Sequence, residues 1–124
     1  MRDMEGILRK DPASILFVGP QNFEKEVIQE SRPVLLLCTQ RDSDFNKQIE
    51  VMETVHSAFS EKLKACLLEQ DFVELFMKMY DIKGTPTFIM FAGGQEKARL
   101  LGQAAPETLR DFVLRVLLAE QRDD

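Results

Sequence analysis

The sequence predicts one α/β domain, in which a mixed sheet of about five strands lies between helices. Three observations support this prediction. Short apolar runs alternate with stretches of helical period, which is the pattern of parallel strands joined by helical crossovers. A two-glycine turn, Gly93-Gly94, follows the fourth apolar run and adds an antiparallel hairpin. A length of 124 residues suits a single domain with a sizeable core.

Two strands and the helix between them are predicted in the first third of the chain. Ile15 to Val18 is a compact apolar run closed by Gly19-Pro20, which indicates a strand and its turn. From Asn22 to Ser31 the apolar residues recur at helical spacing, and Arg32-Pro33 then breaks the helix. The run from Val34 to Cys38 is apolar on both alternating faces, as expected for a central parallel strand.

The remaining elements follow from the same two periodicities. Five apolar residues at spacings of 4, 3, 3 and 4 predict a helix with either Ser43 or Asp44 as its N-cap: Phe45, Ile49, Met52, Val55 and Phe59. Four shorter elements come next, namely a strand at 65–68, a helix at 73–80, a strand at 87–91 and its hairpin partner at 97–101. A last helix is expected to begin at Pro106, because proline is favoured at the first helical position.

Composition and charge exclude several classes of function. The net charge is −5 and the pI is about 5.0, which argues against a nucleic-acid partner. No apolar run is long enough to span a membrane, and the N-terminus has no apolar core of a secretion signal. With only two cysteines, we expect a cytoplasmic protein in which both thiols are free. We expect no metal site and no cofactor, since no ligand cluster or phosphate-binding loop is recognisable. The oligomeric state cannot be predicted.

The domain is predicted to span residues 14–120. Residues 1–13 contain a short amphipathic piece that must end at Asp11-Pro12, and we interpret them as an N-terminal extension of unknown role. Residues 121–124 are expected to form a frayed tail.

Three local motifs resemble the thioredoxin family. Arg32-Pro33-Val34-Leu35-Leu36 is similar to the segment that leads into the family's central strand. The segment from Tyr80 to Phe88 resembles its Tyr-x-Ile-x-x-x-Pro-Thr motif. Phe91-Ala92-Gly93-Gly94, followed by Leu101-Gly102, resembles its hairpin and the glycine beside its active site. The resemblance extends from about Ile15 to Leu118 and implies a thioredoxin-like fold.

The redox motif that the resemblance implies is missing. The family's chemistry needs Cys-x-x-Cys at the start of the helix after the central strand, where the helix N-terminus lowers a thiol pKa. Counting from Pro33 places these positions at Ser43 and Asn46. The family's tryptophan position falls on Asp42 and its buried aspartate on Leu37, and the chain contains no tryptophan. The sequence therefore predicts a protein that is redox-inactive and not an enzyme.

Cys38 and Cys66 leave an alternative open. Each lies in an apolar strand, where burial suppresses ionisation, so we expect buried and inert thiols. The alternative is an atypical thiol-disulfide oxidoreductase that uses one or both of them. The only histidine, His56, is too far along its helix to activate Ser43 and is expected to be partly exposed.

The resemblance also implies a peptide-binding groove beside Thr85-Pro86, where the family has a cis proline. The residue before that proline offers its backbone to an extended segment, as in strand addition. The candidate peptide- or partner-binding residues come from three loops: Asp42, Ser43, Asp44, Phe45, Asn46, Thr85, Pro86, Gly102 and Gln103. The predicted function is protein binding, or a chaperone-like activity, with a protein or an extended peptide as partner. The alternative reading of Thr85-Pro86 is a turn that the fold needs whether or not anything binds.

Two further predictions concern Phe45 and three charged side chains. Phe45 has two interpretations, as the first residue of the core stripe or as an exposed aromatic anchor surrounded by acidic residues. Arg41, Lys47 and Arg99 are expected to be solvated charges.

Overall fold

The computed structural model describes residues 15–122. Within these residues, five strands form one mixed sheet in the order β1-β3-β2-β4-β5. Strands β1, β2 and β3 are parallel, whereas β4 is antiparallel to β2 and β5 is antiparallel to β4. The strands have the following bounds: β1 (Ile15–Val18), β2 (Val34–Cys38), β3 (Lys64–Leu68), β4 (Thr87–Ala92) and β5 (Gln95–Leu101). The predicted α/β fold with a mixed sheet is confirmed, and β5 begins two residues earlier than predicted.

Three α-helices flank this sheet within the described residues. They are α1 (Phe45–Phe59), α2 (Val73–Tyr80) and α3 (Pro106–Arg122). The last helix therefore includes two residues that were predicted for the frayed tail. Residues 1–14 and 123–124 lie outside the described part, so the predicted N-terminal extension and the rest of that tail cannot be compared with the structure.

The helix predicted over residues 22–31 is much shorter than expected. Only Glu24–Ile28 is helical, and it is a wide π-helical turn that is closed by the Gln29 N–H donating to the Glu24 carbonyl at 2.9 Å. Beyond the end of this turn, Glu30 pairs with Arg32 at 2.8 Å and with Lys64 at 3.2 Å. The second ion pair joins the segment after the turn to β3.

The hydrophobic core has two layers, one on each face of the sheet. All five residues of β2 are fully buried, as predicted for a central strand. Alternate β2 residues face opposite layers: Leu35 and Leu37 contact the layer under α1 and α3, whereas Leu36 and Cys38 contact the layer beneath α2. The α2 layer is rich in aromatic rings, with Phe23 in edge-to-face contact with several others. This rigid sheet positions the loops that extend beyond its ends.

The helices were compared with the length and hydropathy that a membrane span requires. Across residues 15–122, every helix is too short or too polar to cross a bilayer.

Candidate functional site

Three loops meet at one end of the sheet, where β2 and β5 end and β4 begins. The strand register shows this, because Thr87 of β4 lies opposite both Cys38 and Leu101. The Gly102 N–H donates to the Pro86 carbonyl at 2.7 Å, and the Gln103 amide donates to the Asp44 carboxylate at 2.7 Å. We call the resulting surface the candidate groove, formed by Asp42–Asn46, Thr85–Pro86 and Gly102–Gln103.

The cis-proline loop is held by its neighbours while its outermost residue stays accessible. The Thr85–Pro86 peptide bond is cis. The Thr87 hydroxyl donates to the Gly84 carbonyl at 2.7 Å, which ties the loop to the start of β4. Pro86 is buried, whereas Thr85 is half-buried. Within residues 15–122, the Thr85 backbone makes no hydrogen bond to another residue, so its polar groups can pair with an added chain.

Asp42 organises the amino terminus of α1. Its side chain accepts a hydrogen bond from the Asp44 N–H at 3.0 Å, and its carbonyl accepts one from the Phe45 N–H at 3.1 Å. Asp44, one of the two predicted N-cap residues, is the N-cap of α1, but its side chain makes no capping hydrogen bond. Asp42 forms the turn instead, and this leaves the Asp44 carboxylate to accept from Gln103.

Ser43 and Asn46 lie where the redox thiols of the resembled motif would be. Both residues are exposed at the beginning of α1. His56 is near the other end of this helix, is partly exposed as predicted, and has a pKa that is lowered by burial. The Ser43 hydroxyl therefore has no imidazole nearby that could act as its base. Neither position provides a nucleophile.

The two cysteines are buried free thiols, as predicted. Both side chains are fully buried. Burial raises the pKa of Cys38 to about 11 and that of Cys66 to about 12. Cys66 lies opposite Leu36 on the neighbouring strand, two residues before Cys38, and the two thiols do not form a disulfide. At neutral pH both groups stay protonated, which suppresses their nucleophilicity.

Arg41 is exposed, as predicted for a solvated charge, but its guanidinium also makes specific contacts. Its guanidinium donates to the carbonyls of Thr39 at 3.3 Å and Leu68 at 3.1 Å, and it lies 4.6 Å from the centre of the Phe45 ring. Burial lowers its pKa. Because main-chain carbonyls at the ends of two parallel strands lack partners in the sheet, the arginine satisfies them and fixes the loop before α1.

Phe45 is half-buried and packs against the core beneath α1. This position favours the interpretation in which it begins the apolar stripe, with Arg41 covering the exposed side of its ring.

Arg99 and Lys47 are both exposed, as expected for solvated charges, and Arg99 also makes specific contacts. The Arg99 guanidinium donates to the carbonyls of Tyr80 at 2.9 Å and Asp81 at 3.0 Å and pairs with Glu96 at 2.6 Å. These contacts anchor the start of the cis-proline loop on β5. A cation within hydrogen-bonding distance of the last carbonyls of α2 also complements the helix dipole.

Two residues at the candidate groove were missed by the sequence analysis. Gln48 is almost fully buried, and its side-chain oxygen accepts a hydrogen bond from the Ala104 N–H at 3.0 Å. Its place on the apolar side of α1, four residues before Met52, was the signal that could have revealed it. Leu101 is 61% exposed and lies against Gly84. A large apolar residue directly before the loop glycine Gly102 was the corresponding signal.

The described residues contain no cluster of metal-ligating side chains. Among residues 15–122, no three histidine, cysteine, aspartate or glutamate side chains are grouped so that they could hold an ion.

The sheet order, the cis proline beside the start of α1, and the closing hairpin and helix define a protein of the thioredoxin-like α/β class. The sequence profile of the Thioredoxin family matches residues 14–115, and the chain therefore belongs to the thioredoxin family. A protein named Thioredoxin from Acidithiobacillus ferridurans is 26% identical over 101 residues, which cover 81% of this chain and 94% of that protein. The resemblance predicted from the three motifs is confirmed.

Proposed function

We propose that this protein is a redox-inactive member of its family that binds an extended segment of a partner protein in the candidate groove. One observation carries the proposal: the exposed start of α1 presents Ser43 and Asn46 where disulfide chemistry requires thiols. The proposal is that the groove binds a partner although no thiol nucleophile stands at these two positions.

The position of the cysteines supports this loss of redox activity. A disulfide-exchange step needs a thiolate with access to the target sulfur. Cys38 and Cys66 lack both properties, because they are fully buried and their pKa values are raised to about 11 and about 12. The alternative function, an atypical oxidoreductase that uses these thiols, would require the sheet to open.

The binding mode follows from the groups that the groove exposes. The Thr85 backbone is available for main-chain hydrogen bonds with an extended partner, as in strand addition. Leu101 adds a large exposed apolar surface beside Gly84, which suits an apolar side chain of that partner. An unfolded client offers such extended segments, so the proposal includes a chaperone-like role.

Reduction of insulin disulfides in the presence of dithiothreitol tests the loss of redox activity. We expect wild-type protein and the Cys38→Ser/Cys66→Ser variant to leave the uncatalysed rate unchanged. Acceleration by the wild type that disappears in the variant would establish the alternative function instead.

Binding through Thr85 is tested with a pair of matched variants. Peptides selected by the wild-type protein from a random library would be titrated by fluorescence anisotropy against Thr85→Pro and Thr85→Ala. Proline removes the N–H that pairs with the peptide, whereas alanine keeps it and removes only the side chain. We expect Thr85→Pro to lose affinity at least tenfold and Thr85→Ala to bind nearly as wild type, since a main-chain hydrogen bond is worth roughly 1 kcal/mol and its loss strands a partner group. Equal affinity of the two folded variants, checked by circular dichroism, would refute the binding mode.

We also propose a cytoplasmic location, which is supported by two cysteines that remain free thiols. Fractionation of cells that produce the tagged protein would place it in the cytoplasm or contradict the proposal.

A further inference from the structure

A second groove lies along strand β5, between this strand and helix α3. We call it the β5–α3 groove; its volume is about 490 Å³, and it follows four consecutive residues of the strand, 97–100. Both elements contribute to its apolar lining: Ala98, Leu100, Phe112, Val116 and Ala119. Because the groove runs along the strand rather than into the protein, it suits an extended chain better than an enclosed cofactor.

The main chain of β5 is unpaired on its outer side. Among residues 15–122, β5 is the last strand in the order of the sheet and pairs only with β4. The register to β4 is regular from Ala98 to Leu101, beyond the irregularity between Met90 and Phe91. An edge strand presents free N–H and C=O groups, to which an extended segment can add through main-chain hydrogen bonds. The regular stretch is therefore a template for one short added strand.

The β5–α3 groove is rich in positive charge although the chain as a whole is acidic. Its lining contains three cations, Lys97, Arg99 and Arg115, and one carboxylate, that of Glu120. The net charge of the chain is −5. Two of the three cations already have partners within the protein. The Arg99 guanidinium pairs with Glu96 and donates to two main-chain carbonyls at the end of α2, and the Lys97 ammonium lies 3.6 Å from the Glu120 carboxylate.

Arg115 is the cation that this arrangement leaves available. It is exposed on α3, and no hydrogen bond or ion pair joins its side chain to another residue between positions 15 and 122. A guanidinium can bind a carboxylate through two parallel hydrogen bonds. An occupant that carries a carboxylate next to its apolar side chains therefore complements both the charge and the apolar lining of the groove.

We propose that the β5–α3 groove binds an acidic, extended segment of a partner protein. The segment adds to β5 as a short strand, places apolar side chains between β5 and α3, and presents a carboxylate to Arg115. A second copy of this chain is a poorer occupant, because pairing of two β5 edges would bring the Lys97 and Arg99 side chains of one copy close to those of the other. This inference does not depend on what the candidate groove binds.

Titration of the full chain with two sets of synthetic peptides, followed by nuclear magnetic resonance, tests the site. In the first set apolar residues alternate with glutamate, and in the second the same apolar residues alternate with lysine. We expect the glutamate peptides to shift the amide signals of Ala98 and Leu100 and to bind about tenfold more tightly than the lysine peptides. Failure of all glutamate peptides to bind, or shifts confined to Thr85 and Gly102 of the candidate groove, would overturn the proposal. Shifts of the β5 amides that follow protein concentration without any peptide would assign the groove to a second copy and would also overturn it.

Two matched charge reversals on α3 provide an independent measurement. Arg115→Glu reverses a charge of the groove lining, whereas Arg110→Glu makes the same change on the same helix outside that lining. Both arginines are exposed, so both variants should fold, which circular dichroism would check. We expect Arg115→Glu to bind the glutamate peptides about tenfold more weakly and the lysine peptides more tightly, and Arg110→Glu to stay within about twofold of wild type for both sets. Equal effects of the two reversals would indicate a general effect of net charge and would contradict the site.

Discussion

Replacement of Gln48 by methionine tests how the candidate groove is held together. Gln48 belongs to α1, is 1% exposed, and accepts a hydrogen bond from the Ala104 N–H at 3.0 Å. Ala104 is itself 7% exposed. Methionine keeps an unbranched side chain of similar length but offers no comparable acceptor. The substitution therefore removes the acceptor with little change in packing.

The expected loss of unfolding free energy follows from the Ala104 N–H, which is left without an acceptor. Because the Ala104 N–H stays buried, water cannot replace the missing partner. A buried and unsatisfied donor costs about 1–3 kcal/mol of unfolding free energy. For a domain of this size that corresponds to a fall in the melting temperature of roughly 4–12 °C, at about 4 °C per kcal/mol.

The assay is urea and thermal unfolding followed by circular dichroism, since the chain has no tryptophan to report on folding. Gln40→Met is the matched control, because the Gln40 oxygen also accepts a side-chain hydrogen bond, from Gln70 at 3.0 Å, but in an exposed setting. The control should change the unfolding free energy by less than about 0.5 kcal/mol. If Gln48→Met proves no less stable than Gln40→Met, the buried hydrogen bond does not secure α1 to the loop at Ala104.

Three further predictions concern acid stability and thiol chemistry. Hydrogen bonds from the Arg32 side chain and backbone and from Lys64 hold the pKa of Glu30 at about 2, below its usual value of 4.5. This stabilisation is present above pH 4.5 and is lost as the pH falls towards 2, so the unfolding free energy of Glu30→Gln should fall less steeply over that range than that of wild type. Both native cysteines should resist a thiol reagent until the protein unfolds, and rapid labelling of the folded protein would contradict their burial. Finally, Ser43→Cys/Asn46→Cys should gain some insulin-reducing activity, because a helix N-terminus lowers a thiol pKa; no gain would show that the missing thiols are not the reason for inactivity.

Local patterns in the sequence were sufficient to predict most elements of the fold. Val34–Cys38 and Phe45–Phe59 have the predicted bounds, and α3 begins at Pro106 as expected. Each is specified by residues close in sequence: an unbroken apolar run, a helical stripe, or a proline at the first helical position. The helix predicted over 22–31 was too long, and Glu30, just beyond the observed helical turn, pairs with Lys64, 34 residues away, a contact that local patterns do not reveal.

The contacts that shape the candidate groove could not be predicted in the same way. The bond from Arg41 to the Leu68 carbonyl spans 27 residues, that from Ala104 to Gln48 spans 56, and that from Gln103 to Asp44 spans 59. Periodicity gives no information on such pairings, and a polar side chain is by default expected in solvent. The resemblance to the thioredoxin family indicated which loops converge, but it did not indicate which side chains join them.

Two hydrogen bonds hold together the three loops of the candidate groove. The Gln103–Asp44 bond joins the loop after β5 to the start of α1, and the Gly102–Pro86 bond joins the same loop to the cis-proline segment. Neither bond involves the Ser43 or Asn46 side chain. The two hydrogen bonds that join the three loops are therefore independent of the side chains at these two positions. Under the proposed function, this separation would let residues other than cysteine stand at the start of α1 without loss of the loop contacts.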